Sequence, residues 1–315
     1  MIYRTPFTFF RGDLGLAGQL FRNTDRLDVR QPAIIVTGSW LTVKEQMQEL
    51  YATRLAERGY ATFTFDFSGF GESAGEPRQT EIPNRKIADL IAAADFLSTL
   101  SLVEPNTIAH LAICASAQYG LAALARGSRV ARFVSVAGWY HDTTSVAAFY
   151  GGLTGVARRL ETARTALQHY RTTGQVETVP AYKLGDETAG MFFESDYYAN
   201  PLRGAVPAWR NEMATLSWAP FLLFDGLSAA DRVDTPALFV HSDGCVFPEN
   251  VRLVHNRLRG PSQLVWGSGT QTDYYDQPQQ VDLAVSAADA FLRGVPVIDA
   301  AYRGSEVSHE QAQHL

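Results

Sequence analysis

Short apolar, β-rich runs alternate along this chain with longer stretches whose apolar positions recur every three or four residues. That alternation predicts strands joined by crossover helices in a mostly parallel sheet, an α/β architecture. Residues 33–36, 61–67, 107–113, 132–137, 237–241 and 263–266 read as strands, and the apolar continuity of the runs fits strands covered on both faces. Residues 43–58, 83–100, 115–125, 248–259 and 278–292 read as helices. Thr42 with Glu45 offers a capping pair for the first of these, and Pro83 stands in the first turn of the second, where a missing N–H is harmless.

The pattern breaks between Asp142 and about Asp234, where strand signals vanish and helical pieces alternate with Gly, Pro and aromatic residues. The expected organisation is therefore one discontinuous core domain, 1–142 and 235–300, with a helical cap inserted at 143–234 and a polar tail at 301–315. The cap is rich in aromatic residues, Phe149, Phe192, Phe193 and Trp218 among them. Such side chains either glue the cap to the sheet or line a substrate cavity.

Composition narrows the partners. Of 315 residues 46% are hydrophobic and 19% charged, which argues against long disorder. A net charge of −6 with no run of Lys or Arg gives no electrostatic reason to expect nucleic acid or an anionic membrane. A small-molecule substrate is the expected partner, and a homodimer remains open. The amino terminus lacks the pattern of a secretory signal and no segment approaches a membrane span. Two cysteines, Cys114 and Cys245, without metal-ligand spacing, suit a reducing cytoplasm; no metal and no cofactor is expected.

Candidate chemistry centres on Cys114, which follows the strand at 107–113 and precedes a helix opening at Ala115. A nucleophile on such a sharp strand-to-helix turn needs small residues two before and two after it, here Ala112 and Ser116. Ser116 is a rival nucleophile, but centring the turn there would put Gln118 at a small position, so sterics favour Cys114. The helix N-terminus would favour thiolate; the inert alternative is a buried core cysteine. Backbone N–H groups to receive a carbonyl oxygen would come from Ala115 and from Ser39 or Trp40, in the loop after the strand at 33–36.

With this turn, that loop and the segment Asp66-Phe67-Ser68-Gly69-Phe70-Gly71-Glu72-Ser73, the chain resembles the α/β-hydrolase superfamily from residue 33 to 292. The likeness is to the dienelactone-hydrolase-like branch with Cys at the nucleophile turn. The resemblance implies that the D-x-x-G-x-G-x-S segment is structural. It also implies hydrolysis of a small ester, lactone or thioester through a nucleophile–His–acid triad. The acid would follow the strand at 237–241, where Asp243 is the one carboxylate; Asp142, after the strand at 132–137, is the alternative. The histidine would fall at position 271, which is Gln271, a side chain unable to take up and return a proton near neutral pH. His141, at the carboxyl edge of the sheet, is the substitute base to consider, with Trp139, Tyr140 and Trp218 as substrate contacts. An enzyme using Cys114 is the leading expectation. Its alternatives are acyl transfer, a lyase, isomerase or cyclase in which Gln271 polarises a carbonyl, and a ligand-binding protein without turnover.

Overall fold

The computed structural model describes residues 1–295 and 297, so the tail expected at 301–315 lies outside the described residues. The chain opens with a hairpin, β1 (Ile2–Arg11) and β2 (Leu14–Asn23), followed by β3 (Ala33–Thr37), α1 (Met47–Glu57), β4 (Ala61–Phe65) and α2 (Pro83–Thr99). Then come β5 (Ala109–Ile113), α3 (Ser116–Leu124) and β6 (Arg132–Val136). Residues 142–234 hold α4 (Gly152–Thr173), β7 (Thr178–Val179), α5 (Asp196–Ala199), β8 (Met213–Ala214) and α6 (Trp218–Leu222). The core resumes with β9 (Ala237–His241), α7 (Pro248–Arg257), β10 (Ser262–Trp266), the short α8 (Asp273–Asp276) and α9 (Pro278–Leu292).

The eight-stranded sheet runs β1-β2-β4-β3-β5-β6-β9-β10, parallel from β4 onward. Every residue of β3, β4, β5 and β9 is buried, as unbroken apolar runs require when helices cover both faces. Helices α1 and α9 pack together on one face, α2 and α3 on the other. The registers Thr37↔Ala112 and Ile113↔Val136 bring the carboxyl ends of β3, β5 and β6 side by side, and the loops leaving them share one edge. No helix among the described residues is long and apolar enough to cross a membrane.

The hairpin is the element that the pattern of crossovers does not predict. Arg11 pairs with Leu14 across a two-residue loop, and Gly12 at φ 60 supplies the backbone twist such a loop needs. Pro6 lacks a ladder donor and sits, as it must, on the outermost strand. Phe9 anchors β1 by edge contacts with Phe63 and Phe65 and by stacking on Phe96. Helix α1 also starts later than its apolar pattern suggests: Thr42 donates to Ser39 O rather than capping, and Lys44 is drawn onto Asp66, Glu45 and Glu72. Strands β4 and β6 stop short of the expected ends because the backbone turns off at Asp66 and, with φ 45, at Ala137.

The segment 66–73 is a buried clasp. Asp66 is fully buried and accepts from the Lys44 and Glu72 N–H groups as well as from Lys44 Nζ, while Ser73 Oγ donates to Asp66 O and accepts from Ala17 N. The clasp fastens the end of β4 to β2 and to the chain entering α1. A Cβ on Gly71, at φ 45, would stand 2.2 Å from the Asp66 carboxylate. Gly71→Ala should therefore cost roughly 2–3 kcal/mol in urea unfolding, from positive φ plus collision with a buried charge. Gly127→Ala, also at positive φ but with nothing within 4 Å, should cost only about 1 kcal/mol. Equal losses in the two variants would show that the clasp contributes nothing beyond backbone strain.

Candidate active site

Strand β5 hands over to α3 through a single residue in the left-handed region, Cys114 at φ 57. A non-glycine residue persists there only when its surroundings hold it. Cys114 N donates to Val136 O (3.1 Å), and Cys114 O accepts from Ala117 N (3.0 Å) and Trp139 N (2.9 Å), so the bend is tied to β6, to α3 and to the loop after β6. Ser116 lies beneath the bend. Its hydroxyl is spent on Ile113 and on Thr37 O and it is 1% exposed, which leaves Cys114 as the side chain presented to the cavity described below.

The thiol is surrounded by donors and by no base. Ser39 Oγ donates to Cys114 Sγ at 3.2 Å, and the Ala115 N–H, the Gln271 amide and the Tyr275 phenol stand beside the sulfur. Burial pushes the Cys114 thiol above its usual range, and these neighbours only partly offset it. The expectation that the start of α3 would favour thiolate is thereby corrected: desolvation outweighs the N–H groups there. Among the described residues the backbone N–H groups of Ser39, Trp40 and Ala115 have no backbone acceptor.

The loop carrying Ser39 and Trp40 is pinned on both sides of Leu41, itself at φ 59. Leu41 N approaches Glu81 Oε2 at 3.4 Å, and Leu41 O accepts from the indole of Trp209 at 2.7 Å. Glu81 is fully buried with Lys86 Nζ at 2.7 Å and the Tyr119 hydroxyl at 2.7 Å. A buried ion pair of this kind holds geometry at the cost of desolvating both charges.

Several expected site residues serve other ends. His141 is buried with Nδ1 accepting from Trp139 Nε1 (2.6 Å) and Nε2 facing Phe221 O (2.9 Å), and burial lowers it to about 4. Both ring nitrogens are committed, so His141 is a strut between the end of β6 and α6 rather than a base. Asp243 is an exposed turn residue whose carboxylate is taken by Arg252 at 2.8 Å, which holds it below the usual range; it orients no histidine. Asp142, the alternative acid, caps its own turn through Thr144 and Ser145. Gln271 is occupied at both ends: Oε1 accepts from Val246 N (3.0 Å), and Nε2 donates to Ala137 O (2.8 Å) and to the Tyr275 hydroxyl (3.3 Å). It is thus not free to polarise a carbonyl. His110 lies under the elbow strand against Thr37, pushed down to about 3 by burial, and His241 is lowered to about 4 for the same reason.

A cavity of about 310 Å³ opens onto the sulfur, floored by Ser39, Trp40, Cys114, Gln271 and Tyr275. The segment 143–234 supplies its outer wall through Phe149, Tyr150 and residues 190–194. Trp139 lines it, while Tyr140 and Trp218 do not. Tyr140 packs below on Phe239, and Trp218 stands behind Tyr150 and Trp40 as part of the wall's backing. Glu194, exposed at the mouth, is the one charged side chain in the lining among the described residues. Tyr275, four residues beyond Gln271 in α8, is a site residue that no local motif marks. The acidic group Glu45, Asp66 and Glu72 elsewhere has the shape of a cation site, but its centre is filled by Lys44 Nζ.

No known family profile matches the chain. An uncharacterized Pseudomonas aeruginosa protein, PA2218, is 34% identical over 203 residues, a stretch covering 62% of this chain and 54% of that relative's length. The crystal structure of PA2218 superposes with a TM-score of 0.78 at 26% identity and covers 94% of each chain. An Aspergillus calidoustus protein named acyltransferase drtE is 23% identical over 256 residues, 76% of this chain and 79% of its own. The α/β hydrolase GrgF of Penicillium sp. sh18 superposes with a TM-score of 0.75 at 22% identity, covering 93% of this chain and 98% of that one. Sheet order, crossover helices and these neighbours agree: the chain has the α/β-hydrolase fold.

Proposed function

We propose that this protein is a hydrolase-like enzyme that takes an acyl group from a small ester, lactone or thioester onto Cys114 and passes it to an acceptor. The observation that carries this reading is a thiol at a strained bend, open to an apolar cavity and flanked by backbone N–H groups without acceptors. Attack on a carbonyl carbon would place the developing oxyanion against the N–H of Ala115 and that of Trp40 or Ser39. Donors of this type raise such rates by a factor of about 10²–10³ each. The aromatic lining and the absence of a lining cation favour an acyl portion without a carboxylate. The likeness to a protein named acyltransferase supports transfer over simple hydrolysis. So does the lack of a histidine near the sulfur, because water needs a base to attack a thioester more than a thiol or amine does. A Cys at the nucleophile turn in this fold is also what the dienelactone-hydrolase-like resemblance implies. A free thiol that has to stay reduced suits the cytoplasm expected from the two-cysteine count.

Mixing with a chromogenic thioester should release about one equivalent of thiol per protein in a rapid phase, leaving an acyl adduct on Cys114 detectable by intact mass. Hydrolysis should follow slowly and an added thiol acceptor should accelerate turnover. Cys114→Ala should form no adduct; an adduct of equal size in that variant removes Cys114 from the chemistry.

The raised thiol has a pH signature. Alkylation by iodoacetamide needs thiolate, and a folded-state ionisation above the ordinary range keeps that form scarce at neutrality. The alkylation rate of Cys114 should climb roughly tenfold per pH unit from pH 6 through 9. A plateau below pH 8 would mean that the donors around the sulfur outweigh its burial.

A further inference from the structure

If Cys114 accepts the acyl group, as proposed above, its proton has to reach the departing group although, among the described residues, no histidine lines the cavity and its one carboxylate, Glu194, is exposed at the mouth. The inference here rests on that reading. The groups around Sγ are all hydroxyls and amides. Tyr275 is 1% exposed and lines the same cavity as Cys114 and Ser39, and its phenol and the thiol each bear on the other's ionisation. Its oxygen accepts from Gln271 Nε2 at 3.3 Å, so the amide fixes the phenol oxygen and leaves the phenol hydrogen to point elsewhere. The one side-chain hydrogen bond of the Tyr275 hydroxyl among the described residues is this one, in which it accepts. Tyr198, 2% exposed, brings a second phenol to Ser39 and Tyr275, and its hydroxyl has no hydrogen-bond partner.

We propose that Tyr275 is the proton carrier of the acyl transfer. As Sγ bonds to the carbonyl carbon, the phenol oxygen takes the thiol proton while the phenol hydrogen passes to the departing sulfur or oxygen. The S–H and O–H bonds and the acyl–leaving-group bond break; S–C, a new phenol O–H and the leaving group's own X–H form. The step leaves the net charge unchanged and consumes no external base. Transfer to the acceptor runs the same relay backwards, with the acceptor's proton returning to Sγ. Burial raises the Tyr275 phenol well above its usual range, which keeps it protonated and suits a relay rather than a base. Gln271 acts through Tyr275 and is a positioning residue. It occupies the place where the superfamily resemblance puts a histidine, and there it aims a phenol.

The test uses two thioesters with the same acyl group, one releasing an aryl thiol that departs as a stable thiolate and one releasing an alkyl thiol that needs a proton. Single-turnover acylation is followed for the unmodified protein, Tyr275→Phe and Cys114→Ala. Tyr275→Phe should lose about 10²–10³-fold with the alkyl thioester and less than about tenfold with the aryl one. Equal losses with both substrates would reduce Tyr275 to packing, and no loss with either would send the proton by another route; both outcomes overturn the inference while leaving the Cys114 reading intact. Undiminished acylation by Cys114→Ala would instead overturn that reading, and this inference with it. Should Tyr275→Phe fail to fold, the unmodified protein still decides: D2O should slow acylation by the alkyl thioester more than by the aryl one, and equal slowing overturns the relay.

Discussion

The left-handed backbone at Cys114 is the constraint on which the rest of the site depends. A bend of φ 57 between a buried strand and a helix turns the side chain out of the sheet, and it exists because three backbone hydrogen bonds hold Cys114 against β6, α3 and the loop after β6. The same bend brings the Ala115 N–H to the sulfur and forces small side chains at Ala112 and Ser116. Ser116 meets that demand and adds to it, since its hydroxyl knits the bend to the end of β3 through Thr37 O. Strain at Cys114 is thus sustained by neighbouring elements rather than by local sequence.

Around that bend, polar groups are used for position more than for charge. His141 pins the end of β6 to α6, Glu81 with Lys86 pins the loop of Ser39 and Trp40, and Gln271 joins Val246, Ala137 and Tyr275. Each is buried, and each has its polar atoms largely engaged, which is the condition for such groups to stiffen a site instead of weakening it. The thiol's environment follows: low exposure, several hydroxyl and amide hydrogens, and no titrating partner with an ordinary ionisation. Burial around the sulfur keeps the thiol neutral in spite of these hydrogens.

The segment 142–234 converts an open sheet edge into a cavity. Its aromatic residues divide into two sets with different jobs. Phe149, Tyr150 and Phe192 meet the cavity, while Trp218 and Phe221 back the wall against Trp40, and Arg159 spreads over Tyr150 and Trp218 from behind. Both readings of that aromatic surface, as glue and as lining, therefore hold, for different side chains.

How much of this is legible in the chain alone follows from which distances matter. Unbroken apolar runs, helix periodicity and the small residues flanking Cys114 are local signals, and they suffice for the parallel sheet, its crossover order and the elbow. The glycine clasp at 66–73 is legible only through the superfamily resemblance, and the structure shows its basis in contacts among Asp66, Gly71, Glu72 and Ser73. The terminal hairpin has a local signal too, in Gly12-Asp13 between two ten-residue strands, though Pro6 and the scattered exposed positions blur it. What the tertiary structure alone decided is which polar side chains meet. His141 and Asp243 stand at the expected edge of the sheet, yet their partners, Phe221 and Arg252, come from segments whose approach no spacing encodes. Tyr275 and Tyr198 converge on Ser39 from helices 77 residues apart, and the ionisation of Cys114 is set by the volume that the packed chain excludes from water, a quantity that exists only once the chain is packed.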